Sequence, residues 1–265
     1  MQITDQTGYR IQLTKEPQRI VSLVPSQTEL LYDLGLEDRV LGVTRFCTRP
    51  GHWKEQKVCI GGTKDLQIER ILELKPDLIL ANKEENERGQ IEALRAVAPV
   101  YTSNISILGE AIDFISATGK ITGASERAEN LNQQIRAEFD SLQAQVGSMT
   151  IKPSSVLYLI WRKPWMAAGS DTFISDMLRR CGMAPVVHES RYPILNRLED
   201  FYDTTDLVLL SSEPYPFKSR HLEEVSALLP NSRIELVDGE PFSWYGSRLA
   251  SAPEYFRTLL LKLQS

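Results

Sequence analysis

The chain has 265 residues, of which 42% are hydrophobic and 25% charged, with a formal net charge of -5. That is ordinary for a globular protein and long enough for two lobes of usual size. There is no Lys/Arg block and no run approaching ~20 apolar residues, which argues against nucleic-acid partners and membrane insertion.

In chain order, short apolar runs alternate with helical patterns, the signature of α/β lobes with parallel sheets. Ile20 to Val24, between Pro17 and Pro25, reads as a buried strand. Ser26 or Thr28 can cap the next helix, with Glu29 in its first turn and Gly35 at its C-terminal stop. Val40 to Thr44 is a strand, Glu69 to Leu74 a short helix stopped by Pro76, and Leu78 to Ala81 and Val100-Tyr101 are further strands.

Ser125 to Val146 holds no Gly or Pro among its apolar Leu131, Ile135, Phe139 and Leu142, spaced by three and four residues. About 22 helical residues span roughly 33 Å. A single long helix of this kind predicts a stiff connector between two lobes and small opening motions.

The order then repeats. Val156 to Trp161 is a strand; Ser170 or Asp171 caps a helix to Arg180, stopped by Gly182. Pro185 to Val187 is a short strand, Leu198 to Tyr202 a short helix, and Leu207 to Leu210 a strand. A helix from His221 to Leu229, a strand from Ile234 to Val237 and a helix from Pro253 to Leu263 follow. The expected domains are an N-terminal α/β lobe 1-122, a connecting helix 123-148 and a C-terminal α/β lobe 149-265. Two such Rossmann-like lobes predict a ligand cleft between them.

Several blocks carry a resemblance: Arg19-Ile20-Val21-Ser22-Leu23-Val24-Pro25-Ser26, Thr28-Glu29-Leu30-Leu31, Gly61-Gly62-Thr63-Lys64 and Leu74-Lys75-Pro76-Asp77-Leu78. Ser212 to Lys218 and Phe242-Ser243-Trp244-Tyr245-Gly246-Ser247-Arg248 continue it. The sequence resembles the helical-backbone (class III) substrate-binding proteins of ABC importers, which are receptors for cobalamin, haem and iron–siderophore complexes. The later blocks are most similar to cobalamin-binding members.

The resemblance implies two α/β lobes on one backbone helix, cobalamin or another metal chelate as transported ligand, no cofactor and a monomer. It implies that Glu69 and Glu199, in matching short helices, dock onto arginines of an ABC permease. It also implies a periplasmic or cell-surface location. The polar start from Met1 to Thr7 lacks a signal-peptide pattern, so a cytoplasmic chain is expected if Met1 is the native start.

Ligands of parallel sheets sit at the carboxyl ends of the strands. That places Pro25, Ser26, Arg45 and Phe46 near the cleft from the first lobe, with Lys83 and Glu84. From the second come Trp161, Arg162, Trp165, Tyr192, Glu213, Tyr215 and Phe217, then Trp244, Tyr245 and Arg248. Aromatic rings can cover the flat face of a corrinoid or porphyrin, and Arg45, Arg162 and Arg248 can meet carboxylates at its rim.

No catalytic residues and no protein metal site are expected. His52, His188 and His221 fall in no metal-ligand spacing, although His188 lies near the cleft. Cys47, Cys59 and Cys181 read as buried or idle thiols, a Cys47–Cys59 disulfide being the alternative. Enzyme motifs such as the nucleophile elbow, P-loop and H-E-x-x-H are missing. A corrinoid or haem handler of the cytoplasm, working without a permease, is the rival to the importer role.

Overall fold

A computed structural model of the protein describes residues 1–148 and 154–264. The chain divides into two compact units. Residues 1–105, 109–134 and 245–248 form the first; residues 106–108, 135–244 and 249–265 form the second. The expected lobe start at 149 lies outside the described residues.

The first unit opens with an antiparallel hairpin, β1 (Gln2–Thr4) and β2 (Arg10–Gln12). It continues with β3 (Ile20–Ser22), α1 (Pro25–Asp33), β4 (Val40–Val43), α2 (Trp53–Gln56), β5 (Val58–Cys59), α3 (Ile68–Glu73), β6 (Leu78–Asn82), α4 (Arg88–Arg95), β7 (Val100–Ser103) and α5 (Leu108–Thr122). Strands β5-β4-β3-β6-β7 form one parallel sheet in that order. The order of strand addition reverses between β3 and β6, with β4 and β5 on one side and β6 and β7 on the other, so the switch point lies between the segments after Ser22 and after Asn82.

Helix α6 (Ser125–Ser148) is continuous, as its uninterrupted stripe predicts. Ile135, Phe139 and Leu142 on that stripe are buried. Its residues to 134 pack with the first unit and those from 135 with the second.

The second unit holds β8 (Ser155–Trp161), β9 (Trp165–Ala167), α7 (Phe173–Arg180), β10 (Ala184–Pro185), β11 (Ile194–Leu195), β12 (Leu207–Ser211), α8 (Arg220–Leu228), β13 (Arg233–Val237), α9 (Glu240–Ser243) and α10 (Ala252–Gln264). A one-turn 3₁₀ helix, Leu198–Phe201, precedes β12. The sheet runs β11-β9-β8-β12-β13, with β10 paired to β8. Strands β8, β12 and β13 are parallel; β9 returns antiparallel.

The repeat reaches individual hydrogen bonds. Asp77, just before β6, accepts the Arg19 amide at 2.7 Å ahead of β3. Asp206, just before β12, accepts the Ser155 amide at 2.9 Å at the start of β8. Each aspartate satisfies the first donors of the neighbouring strand. Strands β6 and β12 are buried along their whole length, as expected of parallel strands covered on both faces.

Three expectations about helix ends need correction. Helix α1 begins at Pro25, with Val24 at its cap position and no side-chain cap. Proline suits this first position because its absent N–H would have no partner there. Thr28 therefore lies inside the helix, donating to the Val24 carbonyl, and Glu29 lies beyond the first turn. Helix α7 is capped by Thr172, not by Ser170 or Asp171; Asp171 instead accepts from Ser190 and the Arg191 amide. Gly35 does stop α1, at φ +72°, a conformation open mainly to glycine.

Candidate functional site

In the second unit the parallel strands deliver four predicted aromatic residues to one edge. Trp161 ends β8 and Trp165 begins β9 after a tight reversal. Tyr215 and Phe217 follow β12. Trp161 meets Tyr215 edge-on, with centroids 5.7 Å apart. Tyr215 meets Phe217 at 4.9 Å, and Phe217 stacks parallel to Trp165 at 6.3 Å. Edge-on and offset-parallel contacts are the favoured geometries for ring quadrupoles.

Exposure divides the cluster. Trp161 is 39% exposed and Trp165 and Tyr215 are half-buried, whereas Phe217 is 6% exposed and packs with Leu157, Leu159, Val208 and Leu210. Phe217 backs the ring cluster; Trp161 is its outermost member.

Trp244, also predicted to face a ligand, is 8% exposed. Its Nε1 donates to Glu213 Oε1 at 3.1 Å, and Ser243 Oγ donates to the same oxygen. Burial pushes the Glu213 carboxyl above its ordinary pKa, a shift that these two donors only oppose. Tyr192 is half-buried on the segment between β10 and β11.

The first unit presents its predicted residues at the carboxyl ends of β3 and β4. Phe46 is exposed, and Arg45 lies over its ring at 5.2 Å. Ser26 is 4% exposed, and its hydroxyl has no hydrogen-bond partner among the described residues. Pro25 is half-buried beside it. Gly246 approaches so closely that a Cβ there would lie 2.6 Å from the Ser26 carbonyl oxygen, so only glycine fits. Tyr245 is buried on the same segment.

The three arginines predicted to bind carboxylates each face a carboxylate of the protein itself. Arg248 grips Glu29 on α1 through Nε, at 3.1 Å from Oε2, and through Nη2. Arg162 grips Glu224 on α8 at 2.7–3.1 Å through Nε and Nη2. Arg45 lies 3.6 Å from Asp65. The two forked pairs orient loops and leave Arg248 and Arg162 less available to a ligand than the sequence suggests, whereas Arg45 and Asp65 both stay exposed. Burial raises the Glu29 pKa although Arg248 opposes it.

Glu69 is exposed on α3 and Glu199 is exposed in the 3₁₀ turn before β12. The three cysteines are free, so the Cys47–Cys59 disulfide does not form. No cluster of His, Cys, Asp and Glu suited to a metal ion occurs among the described residues. His188 is exposed, and its backbone carbonyl receives the Ser170 hydroxyl. His221 is buried within the aromatic cluster, a placement its isolated position in the sequence gives no sign of.

Comparison with known proteins adds a separate observation. The sequence family described as periplasmic binding protein matches residues 20–225. An uncharacterised ABC transporter substrate-binding lipoprotein of Bacillus subtilis, YvrC, is 30% identical over 187 residues, covering 66% of this chain and 57% of that protein. A vitamin B12-binding protein of Yersinia pestis is 26% identical over 177 residues, covering 66% and 62%. The chain therefore spans less than two thirds of the length of these curated relatives. The periplasmic vitamin B12 binding protein BtuF of Vibrio cholerae superposes with a TM-score of 0.79 at 23% identity, over 94% of this chain and 98% of that one. At that identity the likeness speaks to the fold alone.

Proposed function

The chain belongs to the periplasmic binding protein family, and from this premise we propose that it is the substrate-binding component of an ABC importer, carrying cobalamin or a related corrinoid. The observation that carries this reading is the ring cluster Trp161, Trp165, Tyr215 and Phe217 at the carboxyl ends of β8 and β12. A graded set of rings, buried behind and exposed in front, suits a broad flat apolar ligand. Pro25, Ser26, Arg45, Phe46, Tyr192, Trp244, Tyr245 and Arg248 complete the proposed ligand set. The role is binding, and no catalytic group is assigned.

Glu69 and Glu199 are proposed to engage the permease. Each is an exposed carboxylate on a helical element just ahead of a buried parallel strand, β6 or β12. The proposed place of work is the periplasm or the cell surface, as a monomer.

A second cargo class has its own support. Lys163 and Lys218 are exposed next to the rings, on the loops that carry Trp161 and Phe217. Ammonium groups there favour a ligand with anionic rim groups, such as haem or an iron–siderophore complex.

A thermal-shift screen with cyanocobalamin, cobinamide, haemin and ferric siderophores separates these readings. A true ligand at a hundredfold excess over Kd adds about 2.7 kcal/mol of stability. Corrinoids should raise Tm. A shift only with haemin or siderophores favours the second class, and no shift with any of them overturns the receptor reading.

A further inference from the structure

His221 is 2% exposed, in the first turn of α8. Its ring centroid lies 5.6 Å from that of Tyr215 and 5.4 Å from that of Phe217, the latter edge-on at 86°. Nδ1 accepts the Lys218 backbone N–H at 2.8 Å. A ring nitrogen that accepts carries no proton, so the neutral imidazole holds its proton on Nε2. Nε2 lies 3.4 Å from the Tyr215 hydroxyl and 3.3 Å from Arg220 Nε. Both ring nitrogens of a neutral imidazole cannot accept at once. Arg220 Nε, always a donor, is placed to donate to Nε2, but the shorter Lys218 bond decides for a proton on Nε2, which then faces the Tyr215 hydroxyl and leaves Arg220 a contact without a hydrogen bond.

Tyr215 in turn sets the angle of the outer ring, Trp161, and packs on Phe217, which stacks on Trp165. One imidazole therefore touches two of the four rings and reaches the other two through them. We propose that His221 is a positioning residue for cargo binding: held as the Nε2–H tautomer by the Lys218 amide, it fixes Tyr215 and Phe217 in the orientation the cargo packs against. This rests on the reading of the ring cluster as the cargo face.

Protonation would undo the arrangement, because the second proton must go to Nδ1 and displace the Lys218 amide. The groups facing the ring are Arg220 and Glu224 on α8, Lys218 and Tyr215 on the preceding loop, and Arg162 after β8. Burial, Arg220 and Arg162 hold the pKa below its ordinary value, and only Glu224, itself tied to Arg162, opposes them. A depressed histidine pKa gives order that is complete above the unfolded value of about 6.5 and is lost as pH falls through the folded value.

The test uses the full chain. Nitrogen-15 NMR near pH 7.5 reads the tautomer. Tryptophan emission, followed from about pH 8 to pH 4.5, reads the rings, and its quenching by cyanocobalamin reads Kd. The wild type should show Nε2–H and an emission step below about pH 6.5. His221→Phe should lose the step and bind at least about fivefold more weakly. His221→Gln, whose amide can reach Tyr215, should bind within about twofold of wild type and also lose the step. A proton on Nδ1 overturns the proposal, as does His221→Phe with wild-type Kd and pH profile. If His221→Phe fails to fold, a full wild-type step in His221→Gln overturns it instead. A wild type that binds no cyanocobalamin, haemin or ferric siderophore overturns the receptor reading and the cargo role with it. Cargo binding indifferent to His221 overturns this proposal alone.

Discussion

Trp165 and Phe217 lie with their ring planes 2° apart and their centroids 6.3 Å apart. Phe217 belongs to the sheet's hydrophobic core, while Trp165 is half-buried against it. The stack joins the interior of the second unit to the edge where the outer rings stand, so stability and binding should separate along it.

Phe217→Ala should cost about 3–5 kcal/mol of stability, the usual loss for a buried ring. Trp161→Ala, at the exposed end, should cost less than about 1 kcal/mol. Urea denaturation of the two variants checks the ordering. Equal losses would mean that Trp161 is core and not a contact surface.

The sequence shows the parts of this arrangement that depend on local pattern. Leu78 to Leu80 and Leu207 to Leu210 read as buried strands because each is an unbroken apolar run behind an aspartate and is covered on both sides. The sequence also places aromatic residues at or after the ends of such strands, but it does not separate the ring that fills the core, Phe217, from the exposed Trp161. Partners distant in sequence are not legible. Arg248 meets Glu29 and Arg162 meets Glu224 only because the fold brings them together. The hairpin β1–β2 and the antiparallel β9 and β11 are two or three residues long, too short to show a period. The Thr172 cap escapes because Ser170, Asp171 and Thr172 are equally suited by type, and tertiary partners of Asp171 settle the choice.

Arg248→Ala should destabilise the first unit by about 1.5–3 kcal/mol, the range for hydrogen bonds to charged groups. The Glu29 carboxylate on α1 would remain largely buried without its guanidinium. Arg248→Lys should recover only part, because an ammonium cannot form the fork. Thermal melts of both variants decide this, and an unchanged Tm in Arg248→Ala would refute it.

Glu213→Gln has a definite pH signature. The raised carboxyl pKa means that the native state holds a proton where the unfolded chain has released it. That contribution is complete below the unfolded value of about 4.3 and is lost as pH rises through the folded value. Gln keeps acceptors for Ser243 and Trp244 and never ionises. Its Tm should exceed that of wild type at neutral pH, with a gap that narrows toward pH 5. A gap that widens on acidification would contradict the burial account.

Glu69→Ala with Glu199→Ala should leave cargo affinity unchanged and abolish capture by an ABC permease that retains the wild-type protein in detergent. Loss of one partner from a buried interface ion pair costs roughly 2–5 kcal/mol. Retained capture would remove the docking assignment; lost cargo binding would place these carboxylates in the ligand site.

Calorimetric titration with cyanocobalamin, comparing wild type with the Trp161→Ala, Trp165→Ala double variant, bears most directly on the claim that the second unit's rings hold a flat corrinoid. The expected result is one site in the wild type and binding weakened at least about tenfold in the double variant, equivalent to about 1.4 kcal/mol. No binding by the wild type, or an unchanged Kd in a folded double variant, would contradict it.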